Sequence, residues 1–136
     1  MTAREANVFA CLVETVVAPR EPLPPLARTD AVAFLDSYLD ASPRLNRAGL
    51  RAGLHALELG PRAQRLGGRF RQLDPAGRAA YLERLAHGRA GPAFQALEAV
   101  AKLAYYGDDG VMRRLGYDPE GVLARARRLR REEHRW

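Results

Sequence analysis

Apolar residues recur along this chain at intervals of three and four, the spacing that gathers them on one side of an α-helix. In the first segment Val8, Phe9, Leu12, Val13 and Val16 share a face, with Asn7, Ala10 and Glu14 opposite. Pro19 ends that helix. Residues 19–25 hold four of the nine prolines, which predicts an extended connector, because each proline fixes φ and removes an amide donor. A second helix is expected to start at Thr29 or Asp30, both good N-caps, and to turn Val32, Leu35, Tyr38 and Leu39 inward. Ser42 followed by Pro43 reads as N-cap and first helical residue of a third helix, which carries Leu45, Leu50, Leu54 and Leu57. Gly49 and Gly53 lie four apart on it, either permitting a close helix crossing or merely tolerated.

Gly60 and Pro61 are expected to break the third helix, leaving a short helical turn to Leu66 before Gly67 and Gly68. Asp74 and Pro75 restart helix by the same cap-and-proline logic, with Leu82, Leu85 and Ala86 as its stripe. Residues 88–92 read as a loop. In the segment 92–106, Phe94, Leu97, Ala101, Ala104 and Tyr105 form one face, and Val100 and Leu103 carry the apolar surface further round. Only Gln95, Glu98 and Lys102 remain as a polar strip, with Glu98 and Lys102 paired four apart, so this helix should be central to a bundle. Gly107 suits a left-handed position after it, and Asp108 or Asp109 can cap a short helix to Leu115 that Gly116 ends. Asp118 and Pro119 start a last helix with Val122, Ala126 and Leu129 on one side, which turns Arg-rich and frays before Trp136. Strand patterns, repeats and domain boundaries are missing. The expected fold is all-α: residues 1–136 as a single-domain bundle of about five to six helices with short loops, its C-terminal helix Arg-rich from about residue 119.

Composition narrows the functional classes. A chain of 136 residues with 47% hydrophobic content can bury a real core and is not disordered. No run approaches the ~20 apolar residues of a membrane span. Cys11, the single cysteine, cannot form an internal disulfide, and the first ten residues lack a secretory or twin-arginine pattern, so the expected location is cytoplasmic. The formal net charge of +6 comes from arginine, with Lys102 the lone lysine. It raises a basic helical nucleic-acid-binding module as the second reading. The basic residues are spread along the chain and often alternate with acids, and no helix-turn-helix spacing stands out.

Catalysis has little to work with. His55, His87 and His134 are far apart and none has a metal-ligand spacing with Cys, Asp or Glu. His55, among leucines, reads as a core or boundary histidine, and His87 as a helix-end residue facing the dipole. Cys11 beside Leu12 and Val13 reads as a buried, inert thiol. Phosphate-loop and dinucleotide patterns are missing, so no catalytic, metal or cofactor-binding residue is expected. Arg65, Arg69 and Arg71 around Gly67 and Gly68 could hold an anion or single-stranded nucleic acid with Phe70 stacking, but a solvated loop anchored by Phe70 has the greater weight. Arg125, Arg127, Arg128, Arg130, Arg131 and Arg135, moderated by Glu132 and Glu133, read first as an exposed helix face. A docking surface for an acidic partner comes second and a weak nucleic-acid contact third.

Residues 95–117, QALEAVAKLAYYGDDGVMRRLGY, resemble the C-terminal signature of the gluconate 2-dehydrogenase subunit 3 family. That signature is an Ala-rich helix running into Tyr105, Tyr106, Gly107 and Asp108, then a short helix closing on Leu115, Gly116 and Tyr117. Weaker likeness lies upstream in the first helix running into Ala18 and Pro19, in Phe34, Leu35 and Asp36, and in Arg69, Phe70, Leu73, Asp74 and Pro75. Asp109 stands where the family usually has proline. The resemblance implies a small noncatalytic subunit that binds a large flavoprotein of the glucose-methanol-choline oxidoreductase type, with FAD held by that partner and no cofactor by this chain. It also implies help with the partner's folding or export. Tyr105, Tyr106 and Tyr117 are the residue type enriched at interface hot spots and Met112 is an adaptable contact, so with Asp108 and Arg113 they are the expected partner-binding residues. The alternative for the tyrosines is that they pin the short helix to the bundle.

Overall fold

The computed structural model describes residues 1–133, with the backbone in seven α-helices and two short 3₁₀ turns. The helices are α1 (Ala3–Val17), α2 (Ala31–Ala41), α3 (Arg44–Ala63), α4 (Pro75–His87), α5 (Gly91–Tyr106), α6 (Asp109–Arg114) and α7 (Pro119–Glu133). No strand occurs among the described residues. The all-helical bundle stands as expected, and the short segment after Asp108 is an α-helix in its own right. The expected fraying before Trp136 lies outside the described residues.

α5 is the axis of the bundle. It touches α1, α2, α3, α4 and α6, and its inner face buries Phe94, Leu97, Ala101, Ala104 and Tyr105. Ala101 and Ala104 are buried in the same core as Val8, Phe9, Leu12 and Val13 of α1, the helix packed against α5. Leu103, by contrast, is 53% exposed, so the apolar circumference of α5 is only partly covered.

Helix starts follow local chemistry where the cap is free to act. Asp74 accepts from the Gly77 amide at 2.8 Å with Pro75 as the first helical residue, as expected. Ser42 does not cap α3. Its hydroxyl donates back to the Tyr38 carbonyl at 2.6 Å, ending α2, and α3 starts one residue later after Pro43. Asp30 precedes α2 but makes no side-chain cap; its backbone amide is instead claimed by Asp108.

Gly60 and Pro61 do not break α3, which runs through both to Ala63. Proline costs the helix one hydrogen bond, but Pro61 is buried, and the tertiary contacts offset that loss. Gly60 is required for another reason: a Cβ there would collide with the hydroxyl of buried Tyr81 from α4. Of the other pair, Gly53 admits Leu97 of α5, which lies 3.0 Å from where its Cβ would be, while Gly49 faces open space. Leu45 points away from the core at 83% exposure, and Tyr38 is exposed rather than inward. Phe70 is fully buried, as the anchor of its loop should be.

Candidate functional site

The expected partner-binding residues lie on the turn from α5 into α6 and α7, and the structure divides them. Tyr105 is fully buried, and its hydroxyl donates to the Pro24 carbonyl at 2.5 Å. Burial, then the neighbouring Tyr106 and Asp108, push its phenol pKa up. Asp108 is equally structural. One carboxylate oxygen caps α6 by accepting from the Gly110 and Val111 amides at 2.9 and 3.1 Å, and the other accepts from the Asp30 amide at 3.0 Å. Arg114 adds a bond to the Pro22 carbonyl at 2.9 Å. The proline connector has carbonyls to spare because its prolines form no regular ladder, and these side chains use them. Tyr105 therefore cannot be a contact residue, and Asp108 acts through the turn it holds.

Gly107 is also not left-handed. Its φ is −81°, and its amide continues the helix to the Leu103 carbonyl because Asp108 opens the next helix immediately. The left-handed residue is Gly116, with φ of 79°, where α6 ends and Tyr117 donates back to the Met112 carbonyl at 3.0 Å.

What this scaffold presents to solvent mixes aromatic and aliphatic side chains with charged ones. Tyr106 is 40% exposed and packs edge-on against Tyr105, with ring centroids 5.3 Å apart. Tyr117 is 49% exposed and Leu115 55%; Met112 is half-buried between them and the core, and Arg113 is exposed. A cleft of about 490 Å³ between α6 and the start of α7 is lined by Arg113, Tyr117, Asp109, Asp118 and Glu120. Leu115, outside the expected set, is exposed on this same surface, and its place in the Leu-Gly-Tyr closure is the signal that could have found it.

Residues 3–122 match the family profile described as gluconate 2-dehydrogenase subunit 3. The chain belongs to this family. No curated protein and no solved structure matches it. The match takes in α1 to α6 and the first residues of α7, so the surface around Tyr106 and Tyr117 lies wholly within the subunit 3 region, and most of the Arg-rich α7 lies past it. By its name the family is one of dehydrogenase subunits, which groups this subunit 3 chain with the components of an oxidoreductase assembly.

The remaining candidates in the subunit 3 chain are structural or unassembled. His55 is exposed rather than a core or boundary residue, with Nε2 3.3 Å from the Glu5 carboxylate, and His87 closes α4 against the Glu83 carbonyl at 2.8 Å. Cys11 is half-buried. Arg71 pairs with Glu58 at 2.9 Å, whereas Arg65 and Arg69 line an open hollow with Arg62. Arg125, Arg127, Arg128, Arg130 and Arg131 are exposed on α7, and His134 and Arg135 lie outside the described residues. Among the described residues no group of His, Cys, Asp and Glu is placed to hold a metal, and no helix is long and apolar enough to cross a membrane.

Two carboxylates that the sequence reading passed over are buried: Glu5 on α1 and Glu58 on α3. Glu5 takes Arg51 Nε at 2.7 Å and Nη2 at 3.3 Å, and the Thr2 amide and hydroxyl at 2.8 and 2.9 Å. Burial opposes its ionisation, but the Arg51 guanidinium and the Thr2 donors outweigh burial and lower its pKa to about 2. The signal was present as a Thr-x-x-Glu capping box at the head of α1. Its reach to Arg51 could not be read from sequence.

Proposed function

We propose that this chain is the noncatalytic small subunit, or maturation partner, of a flavin-dependent dehydrogenase of the glucose-methanol-choline type. It acts by binding that flavoprotein, and FAD belongs to the partner. The observation that carries the reading is the family match across residues 3–122. The surface supports it: Tyr106, Met112, Leu115 and Tyr117 lie on a turn whose shape is held by the buried bond of Tyr105 and by the Asp108 carboxylate bonds. A rigid element presenting amphipathic rings to solvent suits protein binding, since little ordering entropy is lost on contact.

The test is co-expression with the flavoprotein subunit of the same organism. A stable complex is expected on affinity and size-exclusion chromatography, with dehydrogenase activity in the flavoprotein or the complex and none in this chain alone. Separate elution of the two chains at micromolar concentration, with flavoprotein yield and FAD content independent of this chain, would overturn the proposal.

A further inference from the structure

A second exposed surface lies away from the Tyr106–Tyr117 turn. The ionisable residues of α3 are Arg44, Arg47, Arg51, His55, Glu58 and Arg62, spaced by three and four, so they share one stripe. The opposite side, from Leu45 through Gly49, Ala52 and Ala56, is exposed and carries no charge over about 17 Å of helix. In a chain that is 28% charged, an outward helix face of this kind calls for an explanation. Beside it α5 presents Ala93, Ala96 and Val100, and between the two helices runs a groove of about 500 Å³. Tyr38, stacked on Phe34 with centroids 5.8 Å apart, closes one end. At Gly53 and Leu97 the groove continues toward Tyr81.

The geometry points to this groove as the seat of an apolar helix from the large dehydrogenase subunit, one whose contacting face is uncharged and carries bulky aliphatic or aromatic side chains. The inference rests on the subunit reading above. Charge complementarity sets the chemistry: a charged side chain laid in the groove would be buried without a partner, whereas large apolar groups fill the space that glycine and alanine leave open. Continuity sets the source. The exposed residues of α5 run from Ala96 at the groove rim through Ala99 and Leu103 to Tyr106, flanked by Lys102, whose charge is paired with Glu98 at 2.7 Å, so groove and tyrosine turn lie along one side of the helix that a single partner can cover. Both lie within the matched residues 3–122. The short apolar stripe of α7, Val122, Ala126 and Leu129, is set among arginines and runs past that region, which makes α7 of a second copy the poorer occupant.

Gly49→Glu and Ala96→Glu test the groove, because both positions are exposed and a Cβ at Gly49 meets nothing within 4 Å. Each variant should keep the wild-type circular dichroism, with a Tm no lower than wild type for Gly49→Glu, and lose affinity for the co-expressed flavoprotein by roughly a hundredfold. Asn7→Glu, on the exposed side of α1 and away from the groove, should bind as wild type. Unchanged affinity in both groove variants, with wild type bound, overturns the groove and leaves the subunit reading standing. A wild-type homodimer that Gly49→Glu dissolves, while the flavoprotein complex survives, overturns it in favour of a second copy. If wild type itself fails to bind the flavoprotein, the subunit reading and the groove's occupant fall together.

Discussion

Glu5 shows how one side chain ties two helices and makes the fold sensitive to acid. Its carboxyl titrates at about 2 in the folded chain against an ordinary value of 4.5. A depressed carboxylate stabilises the fold fully above its unfolded pKa and loses that contribution as pH falls through the folded value. Thermal melts should therefore drop between pH 4.5 and 2 more steeply for wild type than for Glu5→Gln. At neutral pH Glu5→Ala should cost about 1–3 kcal/mol, the modest end for a buried carboxylate, because Arg51 is half-exposed and can return to water. The two adjacent tyrosines separate in the same way. Tyr105→Phe should lower stability by about 1 kcal/mol through the lost bond to Pro24 and leave partner binding alone. Tyr106→Ala should leave the melting temperature within a degree or two and weaken the flavoprotein complex by about tenfold or more. Equal effects of the two variants on binding would contradict that division.

At the scale of the element, helix existence was legible and helix ends were legible only where the cap was local. Asp74 with Pro75 acts as its spacing says, because donor and acceptor lie within one turn. Ser42 and Asp30 looked equally good, but the Ser42 hydroxyl turns back to the Tyr38 carbonyl, and Asp30 sits at the head of α2 without a side-chain cap, its backbone amide donating to the distant Asp108 carboxylate. The run of α3 through Gly60 and Pro61 was hidden for a similar reason, since the fit of Tyr81 against Gly60 is a contact between residues 21 apart in sequence. Gly60→Ala should therefore destabilise by about 1–2 kcal/mol, overpacking outweighing the better helix propensity of alanine. Gly49→Ala, with open space beside it, should stabilise by up to about 1 kcal/mol. Chemical denaturation of the two variants checks the pair; stabilisation by both would mean that Tyr81 yields to the added methyl.

Among the described residues, one core joins α1 to α6 around α5, and what it leaves uncovered carries the proposed function. The groove beside α3 is largely apolar, the turn at Tyr117 sets exposed aromatic and aliphatic side chains beside charged ones, and α7 carries its arginines outward. Periodicity alone determined that the chain is helical and that α5 is central, because both depend on residues three and four apart. The Tyr-Tyr-Gly-Asp motif located the candidate surface, but it could not say which tyrosine faces solvent, since successive side chains on a helix point some 100° apart and only the packed neighbours fix which is inside. That choice, the pairing of Glu5 with Arg51, and the groove opened by the glycine and alanine faces of α3 and α5 were decided by tertiary structure. Each depends on distance in space between residues far apart in the chain, and that distance is set when the core closes.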